Sequence, residues 1–186
     1  SSNVNTNGSG DTRANLVVVP LGADGSIDVR LRGTAHVIVD VVGSFTDGSA
    51  PAASAGTYVP LAPTRVVDTR LGLAFARLAA GGSGSANPAA VPADALGVTQ
   101  NIIMVDTDGW GYVTAYPDGQ ARPNASNLNV NAGQTRSNLA VVKVGANGMI
   151  RLAAFETDTD LVVDVFGYYS AGGGAMAHPW VHAILP

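Results

Sequence analysis

Two aspartates in otherwise apolar, strand-like sequence are the residues whose type and position could support catalysis. Asp164 alternates with Val162 and Phe166, so it points to an apolar side of its strand. With Asp68 it could form the paired carboxylates of a general acid–base site. A buried carboxylate equally needs an arginine or several N–H donors around it. We favour structural ion pairs, because the sequence around Asp164 occurs twice and a single active site would not explain that. The residues assigned to these pairs are Asp40, Asp68, Arg70, Arg136 and Asp164, with Arg13 and Arg65 as further candidate partners.

Aromatic and amide side chains form a second candidate site, for a ligand. Trp110 and Tyr112 follow an Asp-Gly turn, and an exposed Trp110 could stack on the apolar face of a sugar ring. Trp110 could equally cap the end of the core. Asn127 and Asn129 could hydrogen-bond sugar hydroxyls, or they could bond the local backbone at strand ends and turns. We prefer the backbone role for the two asparagines.

Metal chemistry has little support in the sequence. The spacing of Asp106 with Asp108, and of Asp158 with Asp160, would suit an oxygen-lined calcium loop, but the further ligands of such a loop are missing. We therefore expect solvated turn carboxylates. His178 and His182 are four residues apart, but Pro179 disfavours the helix that would bring them to one metal ion. No cofactor is predicted, and calcium is the one cation that we considered.

The composition restricts the class of partner. The 186 residues carry a formal net charge of −4, and only 13% of them are charged. This argues against a nucleic-acid groove, which requires clustered lysine and arginine. No apolar run approaches the roughly 18 residues that span a bilayer. There is no cysteine, which excludes disulfides. We expect no nucleic-acid partner and no membrane insertion.

An internal repeat organises the chain. Residues 1–46 are a second copy of residues 126–170, and the best matches are Thr-Arg-Ala-Asn-Leu with Thr-Arg-Ser-Asn-Leu, Gly-Ala-Asp-Gly with Gly-Ala-Asn-Gly, and Val-Asp-Val-Val-Gly with Val-Asp-Val-Phe-Gly. The predicted organisation is a half repeat unit (1–46), a linker (47–56), a full β-sandwich unit (57–170), and a Gly-rich bridge with an apolar tail (171–186).

The same sequence predicts strands that must position these residues. β-Branched runs recur at short intervals, and no helical period is present. Asp-Gly and Asn-Gly favour tight hairpins, here joining 15–20 to 26–31 and 138–144 to 149–155. The other predicted strands are 37–42, 58–67, 99–105, 112–116 and 161–166, and the Gly-Ser-rich stretch 81–85 is predicted to be a loop. The expected fold is an all-β, antiparallel β-sandwich, jelly-roll or Ig-like, with one and a half internal repeats; the alternative is a barrel-like closure.

Four segments of the full unit carry a family resemblance: Pro63–Arg70 (PTRVVDTR), Gly111–Pro117 (GYVTAYP), Arg122–Asn129 (RPNASNLN) and Asp160–Tyr169 (DLVVDVFGYY). They resemble a repeat of secreted and surface proteins of actinobacteria. The resemblance covers residues 57–170, and 1–46 as the second half of a preceding unit. It implies export, tandem arrays or attachment beside hydrolases, and no established activity. Some members carry a cysteine pair where this chain has Asp118 and Arg151.

We therefore expect a non-catalytic extracellular or cell-surface protein with a structural or adhesive role. The half unit supports this expectation, because three or four strands with one uncovered face are marginal alone. It would associate with another copy or with neighbouring repeat units through open strand edges. The alternative is a polysaccharide-binding accessory module of a secreted hydrolase, centred on Trp110.

Overall fold

The structure is a computed structural model that describes residues 3–45, 55–88 and 90–172. The predicted linker lies outside the described residues except for its last two positions. The predicted tail lies outside them from residue 173 onward, and so do His178 and His182. Within the described ranges, no helix has the length and apolar character that crossing a bilayer requires.

Eight strands form two antiparallel sheets in the described part of the chain. They are β1 (Tyr58–Asp68), β2 (Ser83–Ala86), β3 (Gly97–Val105), β4 (Gly111–Pro117), β5 (Leu128–Val130), β6 (Arg136–Lys143), β7 (Ile150–Phe155) and β8 (Asp160–Tyr169), with one 3-10 helix at Thr69–Leu71. The sheet orders are β1-β8-β3-β6 and β2-β7-β4-β5. The β-sandwich is confirmed, and this eight-strand order is that of a jelly roll rather than an Ig-like fold. The two sheets stay separate, so the barrel-like alternative is not formed.

The two halves of the unit alternate in both sheets. We call β1–β4 the first half and β5–β8 the second half. Each ladder, whether β1 with β8, β2 with β7, β3 with β6 or β8, or β4 with β5 or β7, joins one strand of each half. Among the described strands, no two of the same half are hydrogen-bonded to each other. Neither half can therefore build a sheet from its own strands.

The core lies between the sheets and follows the strand alternation. Ile102 and Met104 of β3 face Leu152 of β7, and Val163 of β8 joins them; all four are fully buried. Burial of each such side chain contributes about 1.5–3 kcal/mol. Gln100 lies on the same face of β3, and neither polar atom of its buried side chain has a hydrogen-bond partner in the protein.

The strands predicted for the half unit are not formed. Residues 3–45 contain turns and bends but no strand, and most of their side chains are exposed. The interleaving explains this result, because the equivalent residues of the full unit pair only with first-half strands. The first half at 57–125 is already paired with β5–β8. Residues 3–45 therefore find no strands to alternate with.

Two further predictions about the full unit were wrong. The Asn-Gly turn at 147–148 does not close a hairpin, because β6 and β7 lie in different sheets. The predicted loop at 81–85 contains β2, which pairs with β7 along the sheet edge. Its sequence has no β-branched residue to indicate a strand. A Cβ on Gly84 would overlap the ring of Phe75, so glycine allows this ring to pack against the strand.

Candidate functional site

Asp68 lies at the end of β1 and is completely buried. Arg70 donates to both of its oxygens, from Nε to Oδ1 at 2.9 Å and from Nη2 to Oδ2 at 2.8 Å. Arg65 Nη1 donates to Oδ2 at 3.3 Å. These hydrogen bonds, chiefly those from Arg70, lower the pKa of Asp68 below its usual range. Asp68 is therefore held as a buried anion with two arginines.

Asp164 is bound by the second of these arginines. Arg65 lies opposite Asp164 in the ladder and binds it with both branches of the guanidinium, Nε–Oδ1 at 2.9 Å and Nη2–Oδ2 at 3.2 Å. The hydrogen bonds that Arg65 donates to Asp164 also raise the pKa of Arg65. The predicted structural ion pairs of Asp68, Arg70 and Asp164 are present. This geometry contradicts the paired-carboxylate site, because both acids already bind arginine.

Arg136 and Asp40, also assigned to structural ion pairs, lie elsewhere. Arg136 begins β6, and β3 separates that strand from β8, so Arg136 does not reach Asp164. Its Nη2 instead donates to Asp11 Oδ1 at 3.1 Å, which links the two copies of the repeat. Asp40 is exposed and forms no ion pair with any described residue. Its counterpart in the full unit, Asp164, is paired by an arginine of the first half, and residues 3–45 have no first half.

A third arginine, Arg77, binds the two Asp-x-Asp segments for which the sequence suggested a calcium loop. The two Asp-x-Asp segments do lie together, since the backbone N–H of Asp108 donates to the carbonyl of Asp158. Arg77 Nη1 binds Asp160 Oδ2 at 2.7 Å, and its Nη2 binds the carbonyl of Asp106 at 2.7 Å and Asp108 Oδ1 at 3.0 Å. A guanidinium thus uses the oxygens that calcium would need.

Asp118 and Arg151 are joined by an ion pair. Arg151 Nε donates to Asp118 Oδ1 at 2.6 Å. Ser85 and Asn147 also donate to the Asp118 carboxylate. These donors, Arg151 first, lower the pKa of Asp118 to about 2. An ion pair therefore joins the first half to the second half at the end of β4 and on β7.

The aromatic residues form a corner rather than a flat platform. Trp110 is 48% exposed, and its ring meets Tyr112 edge-on, with centroids 6.3 Å apart and planes at 70°. Tyr112 in turn packs on Phe155, its partner across the β4–β7 ladder, with centroids 4.9 Å apart. The guanidinium of Arg122 also lies over the Phe155 ring, with its Cζ 4.7 Å from the ring centroid. Trp110 is the exposed end of this row.

The asparagines near this corner bond to protein groups. Asn127 Oδ1 accepts from the backbone N–H of Ala115 at 2.7 Å, which ties the chain before β5 to β4. Asn129 is buried, and its Nδ2 donates to Ser126 Oγ at 3.2 Å. Asn127 thus bonds the backbone, as the preferred interpretation expects, whereas the partner of Asn129 is a serine hydroxyl rather than the backbone.

Residues 3–45 carry a set of exposed apolar side chains, although Asp11 and Leu16 are hydrogen-bonded to the full unit. Eight positions on β6, β7 and β8 face the core of the full unit, and each has an apolar counterpart in the first copy. The buried set is Ala140, Val142, Ile150, Leu152, Ala154, Leu161, Val163 and Val165, and the exposed counterparts are Val17, Val19, Ile27, Val29, Leu31, Val37, Val39 and Val41. A continuous apolar pattern of this size in water marks an interaction surface.

The turns of the first copy are nevertheless built like those of the second. In the Gly22-Ala-Asp-Gly25 turn, the N–H of Gly22 donates to the carbonyl of Ser26 at 2.8 Å, and the N–H of Gly25 to that of Gly22 at 2.9 Å. The equivalent bonds of the turn at 145–149 have the same lengths. The glycine in the last turn position has a positive φ in both, 77° for Gly25 and 75° for Gly148. Local structure is thus present where the sheets are absent.

Arg77, Phe155, Arg122 and Asp11 are the residues that the sequence did not single out. Phe155 meets Tyr112 only because β4 pairs with β7, and Arg77 meets Asp160 across a distance of 83 residues in the chain. No local spacing indicates such contacts. Asp11 lies beside one of the two places where the copies differ in length, near residues 8–10, and this gave no reason to select it.

No protein-family model matches this chain, and no curated protein sequence matches it.

Proposed function

We propose that this chain is a non-catalytic structural or adhesive module of the cell exterior that associates through residues 3–45. One comparison carries the proposal: Val41 is 86% exposed, whereas its counterpart Val165 is completely buried. The same contrast holds at the other core-facing positions of the repeat. Contiguous apolar residues in water favour association by the free energy of their burial.

Other features support this proposal. The segments that resemble actinobacterial surface repeats include Pro63–Arg70 and Asp160–Tyr169, and the resemblance implies export and tandem arrangement. The acidic side chains with catalytic potential, Asp68 and Asp164, are bound by arginines that fix the fold. Their role is therefore architectural.

Light scattering across a concentration series tests the proposal. We expect a mass above the 18.7 kDa of one chain, rising with concentration. Val41→Asp places a charge on the core-facing pattern and should reduce this association. Val18→Asp is the matched control, because Val18 is 76% exposed but its counterpart, Val141, faces away from the core. A chain that remains monomeric at every concentration would contradict the proposal.

The aromatic corner favours a second candidate function, a polysaccharide-binding accessory module of a secreted hydrolase. The observation that favours it is that Trp110 is half-exposed and that the plane of the Tyr112 ring lies at 70° to the plane of the Trp110 ring. Two rings at this angle fit the edge and one face of a single sugar, rather than a flat polysaccharide surface.

Retention on a column that carries immobilised polysaccharide chains tests this second candidate, because separate chains present the single sugar units that the corner fits. We expect the protein to be retained and Trp110→Ala to lose retention. The control is Leu71→Ala, because Leu71 is another exposed apolar side chain, far from β4 in the sequence. Absence of retention in the unsubstituted protein, or equal retention of both variants, rules out a glycan site at Trp110.

A further inference from the structure

Residues 3–45 have the sequence and turns of a second half, but no strands to pair with. We propose that they complete a jelly-roll unit with a first half of the β1–β4 type that is distinct from residues 57–125. This inference rests on the proposed function, because it takes residues 3–45 as the associating segment and names the complement that would satisfy all of its strands.

The interleaved topology defines what the partner must supply. In the full unit, β8 lies between β1 and β3, and β7 lies between β2 and β4. A single added strand would therefore pair with one edge of one of these strands and leave the other edges unpaired. The partner has to provide four strands that alternate with those of the segment, and this is what a first half is.

The core-facing pattern of the segment fits such a partner. The eight positions that correspond to the core-facing residues of β6, β7 and β8 are all apolar, and Ile27 has the same side chain as its counterpart, Ile150. Ile150 is completely buried between the sheets, whereas Ile27 is 42% exposed. The segment thus keeps the pattern that packs against a first half, although it has none.

A second copy of this chain does not supply the further first half that residues 3–45 require. Within the described residues, each copy has one first half, at 57–125, and two second halves, at 3–45 and 128–169. Exchange of strands between copies can redistribute these pairs, but it creates no new first half. One second half for each copy would remain open in an assembly of any size.

The charged residues of 3–45 also indicate that the partner differs in sequence from residues 57–125. Asp28 occupies the position of Arg151, which is bound by Asp118 of the first half. A first half with an acid at that position would bring two carboxylates together, which is unfavourable. Asp40 occupies the position of Asp164, whose partner is Arg65. The partner thus has a basic residue where residues 57–125 have Asp118, and it keeps the arginine where they have Arg65.

An extended chain provides the partner in a defined position. One further copy of residues 57–125 is placed directly before Ser2, because Ser2 is the counterpart of Ser126. In the matched version, the added copy alone carries Asp118→Arg; the unmatched version has the unchanged sequence. Hydrogen exchange of the backbone amides at 12–42 is measured in both versions and in the original chain.

We expect these amides to be unprotected in the original chain. In the matched version, their protection should rise by about a hundredfold or more. The unmatched version should show less protection. Val39→Asp in the matched version should remove the gain, because its counterpart, Val163, is completely buried. Protection of residues 135–167 should remain unchanged in all of these chains and reports that the original unit is folded.

Each result separates the inference from the proposed function. Unprotected amides at 12–42 in both extended chains, with 135–167 protected, would overturn the inference even if the original chain associates in light scattering. Equal protection in the matched and unmatched versions would overturn the requirement for a basic residue. Protection in the matched version together with a strictly monomeric original chain would support the inference while contradicting the proposed association of copies.

Discussion

The side-chain amide of Asn15 donates to the backbone carbonyl of Asn3 at 2.7 Å. The counterparts of these residues in the full unit, Asn138 and Asn127, form the same bond at the same length. In the full unit this bond joins β6 to the chain that leads into β5, and Asn138 is buried. In the first copy the same bond forms in exposed chain without any strand. The repeated asparagines therefore encode a local connection that does not require the sheets.

Asn138→Ala should destabilise the full unit, because it removes a buried hydrogen bond and leaves the carbonyl of Asn127 without this donor. We expect the free energy of unfolding to fall by about 1–3 kcal/mol. Asn15→Ala removes the equivalent bond from residues outside the sandwich, so it should leave that free energy unchanged. Urea denaturation followed by tryptophan fluorescence measures both variants; equal effects would contradict this division of roles.

Ile150→Ala should cost about 2–5 kcal/mol of unfolding free energy, because a large side chain is lost between the sheets and a cavity remains. Ile27→Ala makes the same chemical change at the equivalent position of the first copy. We expect an effect within about 0.5 kcal/mol there. Urea denaturation followed by tryptophan fluorescence measures the free energy of unfolding of both variants. A large effect of Ile27→Ala would show that residues 3–45 are part of the folded core.

Acid should destabilise the unit through its paired carboxylates. The pKa of Asp118 is about 2 in the folded protein, against 3.8 for an ordinary aspartate, and the pKa of Asp68 is also lowered. A carboxyl group with a lowered folded pKa stabilises the fold above its unfolded pKa. This contribution is lost as the pH falls from about 4 toward 2.

Asp118→Asn isolates one part of this acid effect. The variant should be less stable than the original protein at neutral pH, and the difference should shrink as the pH falls toward 2. Asp94→Asn, at an exposed position, controls for the loss of one negative charge. Thermal denaturation at several pH values makes the measurement. A difference that stays constant between pH 7 and 2 would show that the charge of Asp118 does not stabilise the fold.

Gln100→Leu should stabilise the protein. The side-chain amide of Gln100 is buried in the core, and neither of its polar atoms has a partner in the protein. Such a group costs about 1–3 kcal/mol, and an apolar side chain of similar volume avoids this cost. The free energy of unfolding should therefore rise by an amount of this order. A fall would show that the amide has a partner, such as a buried water molecule.

The sequence was sufficient for six of the eight strands of the full unit, but not for β2, β5 or the connections between strands. Short apolar runs predicted β1, β3, β4, β6, β7 and β8, because alternation is a local property. The Asn-Gly turn at 147–148 indicated a hairpin, although the chain there crosses from one sheet to the other. Turn chemistry determines how the backbone reverses, whereas the choice of partner strand depends on the whole fold.

For the candidate ion pairs, too, local sequence predicted that a partner is needed, whereas the whole fold determines which residue is the partner. Burial of a carboxylate among apolar residues predicted a charged partner for Asp164, and Arg65 was among the candidates. The ladder then selects Arg65 over Arg136, since β8 lies next to β1 and two strands away from β6. For Asp40 the same pattern gave a prediction that the structure does not support, because the partner strand is missing.

The alternation of the two halves also sets the order of events when this chain is made. No ladder of the unit joins strands that both lie within 57–125, so this stretch has no sheet to form as it leaves the ribosome. Its closing strand, β8, ends at Tyr169, more than a hundred residues after β1 begins. Such separated pairings make folding slow and leave strand edges open for longer. Residues 3–45 are synthesised before the first half, with their turns able to form locally, so the emerging strands meet a complementary copy before their final partner exists.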